Sequence, residues 1–336
     1  MSLTSASESG FIRLLNWDFH VLEVILSFTS LIFLTSGFCV EIPIFLYPPC
    51  IMTIQSETIF ERFLAPIFEN FLVDREALLA YYHRIAWEGG SDRLRRPDLV
   101  TPDYYKSQNF HNIKSGYLNV DAAVSYDPIT QYLLPPNETW VRQGLIDAVQ
   151  CKPRRILDLG CGTGSAAVML KQAFPEADVI GLDLSPYMLV AADDKAQTAG
   201  LDIQFVHAKA EETGFPDHHF DLVTASLLFH ETPTVITQRI LQECYRLLSV
   251  GGEVLILDGN QEALRQIPWL MDLFEEPYIR AYSEGNLDAW MGAAGFGAVR
   301  THTVWLVHQV TRGVKSISQQ EFGFPAGAEG IMAVSY

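Results

Sequence analysis

An α/β fold with a doubly wound, mostly parallel sheet of seven strands, preceded by a helical region, is what this 336-residue sequence predicts. Three observations predict it. From residue 138 onward, short apolar runs alternate with helical patterns, the order in which strands and their covering helices follow one another in such sheets. The apolar run Arg155-Ile156-Leu157-Asp158-Leu159 passes straight into Gly160-Cys161-Gly162-Thr163-Gly164, a strand leading into a tight turn whose backbone can lie against a ligand. Asp183 lies nineteen residues beyond Gly164 and closes a second apolar run, at the separation where a carboxylate in a βαβ unit can accept both hydroxyls of a ribose.

Four parts follow in chain order: an apolar leader (1–51), a helical and aromatic lid (52–137), the nucleotide-binding core (138–312) and a tail (313–336). In the leader, Val24 to Val40 is uncharged and rich in Leu, Ile and Phe, at the short limit for a bilayer-spanning helix. Its flanks, with Glu8, Asp18 and Glu23 against Arg13, give no positive n-region, and no small-residue cleavage site stands out. A membrane anchor, an appended leader before a start at Met52, and a packed core helix all remain open.

In the lid, Glu57 to Glu69 and Arg75 to Ile85 have helical spacing, with Phe60, Phe63, Leu64 and Phe68 on one face and Leu78, Leu79, Tyr82 and Ile85 on the next. A turn-rich aromatic stretch comes after them. It holds Tyr104, Tyr105, Phe110, His111, Tyr117, Tyr126 and Tyr132, broken by Pro102, Gly116, Pro128 and Pro135-Pro136.

In the core, a helix over Glu138 to Val149 enters a first strand at Arg154 to Leu159, and a helix from Ser165 to Ala173 places its free N–H groups beneath the glycine turn. Strands are expected at 178–182, 203–207, 220–225 and 253–258, and an antiparallel pair at 297–302 and 304–310. The tail, with four glycines from Gly313 onward, reads as loosely docked.

The formal charge of −17 argues against a nucleic-acid partner, which needs a basic surface, and the short Arg93-Leu94-Arg95-Arg96 cluster reads as a solvated turn. Five cysteines, at 39, 50, 151, 161 and 244, show no C-x-x-C pairing and no ligand spacing with His, which fits a reducing compartment and no bound metal.

The glycine turn could hold a dinucleotide or S-adenosylmethionine. A strict G-x-G-x-x-G taken from Gly160 ends on Ser165, and only a relaxed form, Gly162 to Gly164 to Ala167, survives. Asp158-x-Gly160-x-Gly162-x-Gly164 resembles the first motif of the class I S-adenosylmethionine-dependent methyltransferases. Gly181-Leu182-Asp183-Leu184-Ser185-Pro186-Tyr187-Met188-Leu189 resembles their ribose-binding second strand. Ala210-Glu211-Glu212 through Phe215-Pro216-Asp217 and Phe220-Asp221-Leu222-Val223 resembles their adenine loop and fourth strand. Glu243 to Ile256, through Val250-Gly251-Gly252-Glu253, is similar to the branch that includes the ubiquinone and menaquinone C-methyltransferases.

The resemblance spans residues 138–312. It implies methyl transfer from S-adenosylmethionine to a small acceptor, apolar or aromatic and of quinol, phenol or isoprenoid type, and a lid that folds over the cofactor. It implies cofactor contacts at Asp158, Gly160, Cys161, Gly162, Gly164, Asp183, Leu184, Met188, Ala210 and Glu211. Asp158 either orients the glycine turn, reaches the cofactor's amino group through water, or is an exposed strand end. Cys161 reads as a small filler, with no neighbour in sequence to lower its pKa. Where the family commonly carries Asp before the Ala of the adenine loop, this chain has Lys209, an ammonium that accepts no hydrogen bond. Either Glu211 takes over, or adenine is held by backbone and apolar contacts.

His230, Glu231 and Asp258 fall just past strand ends, where ligands bind in such sheets. His230 coincides with a histidine common in the quinone-methylating branch and is the candidate base; a structural role is the alternative. Asp258 is either a second catalytic group or a cap for the next helix. A nicotinamide oxidoreductase and a non-catalytic assembly protein stay open as rival functions. A cytoplasmic chain is expected, with membrane contact through the leader and oligomeric state both undecided.

Overall fold

The computed structural model describes residues 74–316, apart from 111, 112, 114, 115, 134, 135, 275 and 306. The leader, the helix expected at Glu57–Glu69, His111 and the tail beyond 316 lie outside those residues. Among the described residues, no helix is long and apolar enough to cross a membrane.

The lid supplies α1 (Arg75–Arg84), α2 (Trp87–Leu94), the single turn α3 (Asp103–Lys106) and α4 (Val120–Leu133). The core follows with α5 (Glu138–Asp147), β1 (Arg155–Leu159), α6 (Ser165–Ala173), β2 (Asp178–Asp183), α7 (Pro186–Thr198), β3 (Gln204–His207), β4 (Phe220–Ser226) and α8 (Thr234–Leu247). After β5 (Leu248–Gly259) come α9 (Gln261–Gln266), α10 (Pro268–Phe274), α11 (Ile279–Glu284), α12 (Leu287–Ala293), β6 (Phe296–Val304) and β7 (His308–Lys315). Local chemistry marks the helix starts. Asn137, Ser185, Asn260 and Asn286 each accept a backbone N–H three residues on, and Pro186 occupies the first turn of α7.

The seven strands form one sheet in the order β3-β2-β1-β4-β5-β7-β6. The first five are parallel, and β7 runs antiparallel between β5 and β6. The chain leaves β1 toward β2 on one side and later crosses to β4 on the other, so the crevice beyond the carboxyl ends of β1 and β4 is the switch point of the sheet. Neighbouring residues feed opposite faces. Ile156, Leu222 and Leu255 join the layer packed by α5, α6 and α7, whereas Leu157, Val223 and Ile256 join the layer packed by α8, α11 and α12. A third cluster, Trp87, Phe110, Tyr117, Ala122 and Ala123 against Met188, Val190 and Ala191, seats the lid on α7.

Four expectations are corrected. The strand expected at 304–310 is shifted: apolar Trp305 and Val307 fall in the hairpin turn, where Trp305 takes φ 54°, and β7 continues to Lys315 because buried β5 needs a partner along its length. Gly313 to Lys315 are therefore strand rather than tail. In α1, Leu79 and Tyr82 are exposed, and the face that packs is Leu78, Tyr81 and Ile85. Pro128 breaks nothing; it sits inside α4, which carries Tyr126 and Asp127.

Gly181 on β2 lies directly beneath the glycine turn. A Cβ there would meet Phe205 ring carbons at 2.8 Å and the Cys161 Sγ at 2.9 Å. Gly181→Ala is expected to cost about 1–3 kcal/mol of folding stability, the usual scale of overpacking, read as a lowered urea midpoint at unchanged slope; an unchanged midpoint would show that the turn yields at this point.

Candidate active site

The glycine turn is left-handed at Gly160 (φ 62°), Gly162 (φ 53°) and Gly164 (φ 80°), a path that side chains with Cβ follow at a cost. Gly164 caps α6. Gly160 and Gly162 line a cleft of about 740 Å³, open mouth included, beyond the ends of β1 and β4. A Cβ on Gly162 would come no closer than 4.0 Å to any atom named beside it, Tyr126 Cε1, so the turn faces open space that a ligand can fill.

Asp183 ends β2 on the cleft wall. Its Oδ2 accepts the Gly162 N–H at 2.8 Å and its Oδ1 accepts the Ser185 N–H at 2.8 Å. Burial raises its pKa, and the bonds from the Ser185, Gly162 and Leu184 amides oppose that rise. A carboxylate oriented in this way keeps lone pairs toward the cleft, as recognition of a diol requires. Leu184, Met188, Lys209 and Ala210 complete that side.

Other expected contacts fall behind the wall. Asp158 is fully buried on β1, where its Oδ1 accepts from Thr224 Oγ1 at 2.7 Å while its Oδ2 has no hydrogen-bond partner. Burial pushes its carboxyl up to about 6, against the Thr224 bond and the charge of Arg142. It is no exposed strand end. Cys161 is buried beneath the turn, and burial holds its thiol well above the usual range, so it acts as packing. Gly164 is set back with α6. Glu211 is not part of the wall: the Tyr104 hydroxyl reaches both its oxygens at 3.2 Å. Lys209 does line the cleft, with its ammonium held by Glu212 at 2.6 Å.

The opposite wall is built by the lid and the β4 end. Tyr104, Tyr105, Tyr117 and Tyr126 face Leu227, Leu228, Glu231, Thr232 and Ile240. Leu227 sits at φ 58°, a strained backbone for leucine at a strand end on the cleft. The Tyr117 hydroxyl donates to Glu231 Oε1 at 3.0 Å. His230 lies behind Glu231, its Nε2 at 4.0 Å from that same oxygen, and its Nδ1 is 2.6 Å from Asp258 Oδ1.

Asp258 is 0% exposed at the end of β5 and also accepts from the Phe229 and Gly259 amides at 2.8 and 2.7 Å. It thus pins the one-turn helix Phe229–Glu231 and is neither an acceptor-facing group nor a cap for α9, whose cap is Asn260. Burial alone would lower the His230 pKa; the Asp258 carboxylate and its hydrogen bond, with Glu231 and Glu276 nearby, outweigh burial and push it up to about 10. Buried His308, near the same carboxylate, goes down to about 4. His230 is therefore an imidazolium at neutral pH, and the expectation of a base with near-neutral pKa is corrected.

Glu231 was placed past the fourth strand by its sequence position but given no role there, and its bond to Tyr117 was missed. The signal was present: an acid beside His230 past the fourth strand, and a tyrosine-rich lid. The contact between them joins positions 114 residues apart.

A mostly parallel switch-point sheet, an open glycine turn and an oriented acid at the second strand define a site suited to a nucleoside, and comparison with known proteins gives the family. Residues 156–252 match the family model described as "Methyltransferase domain". The demethylmenaquinone methyltransferase of Thermus thermophilus is 33% identical over 186 residues, covering 47% of this chain and 80% of the relative. That of Deinococcus radiodurans is 33% identical over 172 residues, covering 50% of this chain and 70% of the relative. The chain belongs to the class I S-adenosylmethionine-dependent methyltransferases, in the menaquinone-type branch. It is an enzyme whose cofactor is S-adenosylmethionine, and the nicotinamide and non-catalytic alternatives give way to this membership. The open space over Gly162 and the oriented Asp183 carboxylate fit that cofactor's amino-acid and ribose portions.

The His230–Asp258 pair links stability to pH. In the unfolded chain His230 titrates near 6.5, and in the folded chain near 10. The folded state holds the extra proton between those values. The stabilisation is therefore complete below the lower one and lost as pH rises through the upper one. His230→Gln is expected to flatten the alkaline fall in urea midpoint between about pH 7 and pH 10.5; parallel declines in both proteins would contradict the linkage.

Proposed function

We propose that the enzyme methylates a small, apolar aromatic hydroxyl compound of the quinol type, with Glu231 as the proton acceptor. The observation that carries this reading is the placement of Glu231. It is a carboxylate on the wall of a tyrosine- and leucine-lined cleft, held by the Tyr117 hydroxyl at 3.0 Å and backed by the His230–Asp258 pair. The names of the relatives, both demethylmenaquinone methyltransferases, support a quinone-like acceptor.

Bound S-adenosylmethionine supplies a methyl group activated by its positively charged sulfur, so alignment and exclusion of water carry most of the rate. The protein's own work is to hold the acceptor and take its proton. Leu227, Leu228 and Ile240 with the tyrosine rings give the acceptor an apolar seat and exclude water. Glu231 accepts the hydroxyl proton, which leaves the aromatic oxygen and the ring carbon beside it electron-rich. The imidazolium of His230 lies 4.0 Å from the same Glu231 oxygen that Tyr117 holds. Asp258 keeps His230 charged and oriented. His230 is a positioning residue here, because it acts through Glu231.

Methyl transfer is tested with labelled S-adenosylmethionine, a demethylmenaquinol analogue, simple phenols and a primary amine, with products resolved by mass spectrometry. The quinol is expected to be methylated, and Glu231→Gln to lower kcat by roughly 10²–10⁴, the range of general-base catalysis, with a smaller change in KM for the quinol. Retained turnover in Glu231→Gln, or methylation of the amine alone, would overturn the proposal.

A further inference from the structure

Two tyrosine rings stand beside the open face of the glycine turn, in a cleft whose charges favour a cation. Tyr117 and Tyr126 meet edge to face with ring centroids 5.6 Å apart, and both line the cleft with Gly160, Gly162 and Glu231. Tyr126 Cε1 is 4.0 Å from the position of a Cβ on Gly162, so this ring borders the space that glycine leaves open. Among the described residues lining it, the acids are Asp183 and Glu231 and the one Lys or Arg side chain, Lys209, is committed to Glu212 at 2.6 Å; the imidazolium of His230 behind Glu231 is paired with Asp258 at 2.6 Å. Arg142, whose charge acts on the Tyr126 phenol, is paired with Glu138 at 2.8 Å.

The backbone that carries both rings is held in place before any ligand arrives. Asp127, next to Tyr126 on α4, accepts from Thr163 Oγ1 in the glycine turn at 2.5 Å and pairs with Lys195 on α7 at 2.7 Å. The same ammonium donates to Thr163 and Ser165, so α4, the glycine turn and α7 share one polar knot. Tyr117 is fixed at its backbone: Ser185 Oγ donates to its carbonyl at 2.6 Å and its N–H donates to the Tyr105 hydroxyl at 2.9 Å. Its own hydroxyl donates to Glu231, which draws electron density toward the ring and makes its face more attractive to a cation.

We infer that Tyr117 and Tyr126, with Glu231, form a cation box for the sulfonium of S-adenosylmethionine, so that the enzyme distinguishes the charged methyl donor from its neutral demethylated product by ring electrostatics. The consequence is release: once the methyl group has left, the sulfur is an uncharged thioether and the box no longer holds it. Uniform apolar packing would grip both forms alike; a cation–π box grips one of them. This inference rests on cofactor binding alone, and the test contains no acceptor, so its failure leaves the quinol reading standing and the reverse also holds.

The test is calorimetric titration of wild type, Tyr126→Leu and Tyr126→Phe with S-adenosylmethionine and with S-adenosylhomocysteine. Tyr126→Leu is expected to weaken the charged ligand by roughly fivefold to thirtyfold, the range of a partly desolvated cation–π contact, and the neutral one much less. Tyr126→Phe keeps the ring and is expected to keep the ratio of the two affinities. Should Tyr126→Leu not fold, phenylalanine with increasing ring fluorination at position 126 keeps the shape while draining the face. Affinity for S-adenosylmethionine is then expected to fall stepwise with fluorine while that for S-adenosylhomocysteine stays level. Equal losses for both ligands in either series would mean the ring only fills space, and would overturn the inference.

Discussion

The bond from the Gly162 amide to Asp183 Oδ2 couples the two strand ends on which the cleft is built. It can form only because the turn is left-handed at Gly160 and Gly162, which brings that N–H round toward the end of β2. The tight fit of Gly181 against Phe205 and Cys161 supports the same turn from below. Thr163 carries the constraint outward to Asp127 and Lys195, and so to the lid. A few residues of unusual backbone thus set the floor of the site and the place of its roof.

Above that floor the protein keeps its charges in layers. Asp258 is buried and fully engaged, His230 is held positive by it, and Glu231 presents the negative end of the chain to the cleft. Such an arrangement avoids an isolated buried charge, which would be costly, and delivers one acid to a mostly apolar chamber. The tyrosines serve both sides of the reaction. Their rings give apolar surface to an acceptor and quadrupoles to a cation, while their hydroxyls pin Glu231 and Glu211. Lys209, which stands where the family commonly has an acid before Ala210, is neutralised by Glu212.

The sheet, its glycine turn and the acid at Asp183 were legible in the sequence, because strand periodicity and a three-glycine turn are local signals. The strand shifts near the chain's end were not. Trp305 and Val307 have strand composition, and only the demand of β5 for a long antiparallel neighbour moves the hairpin past them. Pro128 misled for a similar reason: a local breaker is tolerated inside α4 because that helix is tied at Asp127 to the core. His230 and Asp258 were found by their position past strand ends, but their roles were not, since a pKa is set by neighbours brought together from distant segments. The carboxylate of Asp258 comes from a strand 28 residues away. Glu211 was read as a cofactor contact by motif alone, and its bond to Tyr104, 107 positions earlier, was not legible.

The most direct measurement of the central claim is a crystal structure of the protein with S-adenosylhomocysteine. The account requires both ribose hydroxyls within hydrogen-bond distance of the Asp183 carboxylate, with the homocysteine chain lying over Gly160 and Gly162. A nucleoside bound elsewhere, or one whose ribose leaves Asp183 to the Gly162 and Ser185 amides alone, would contradict it.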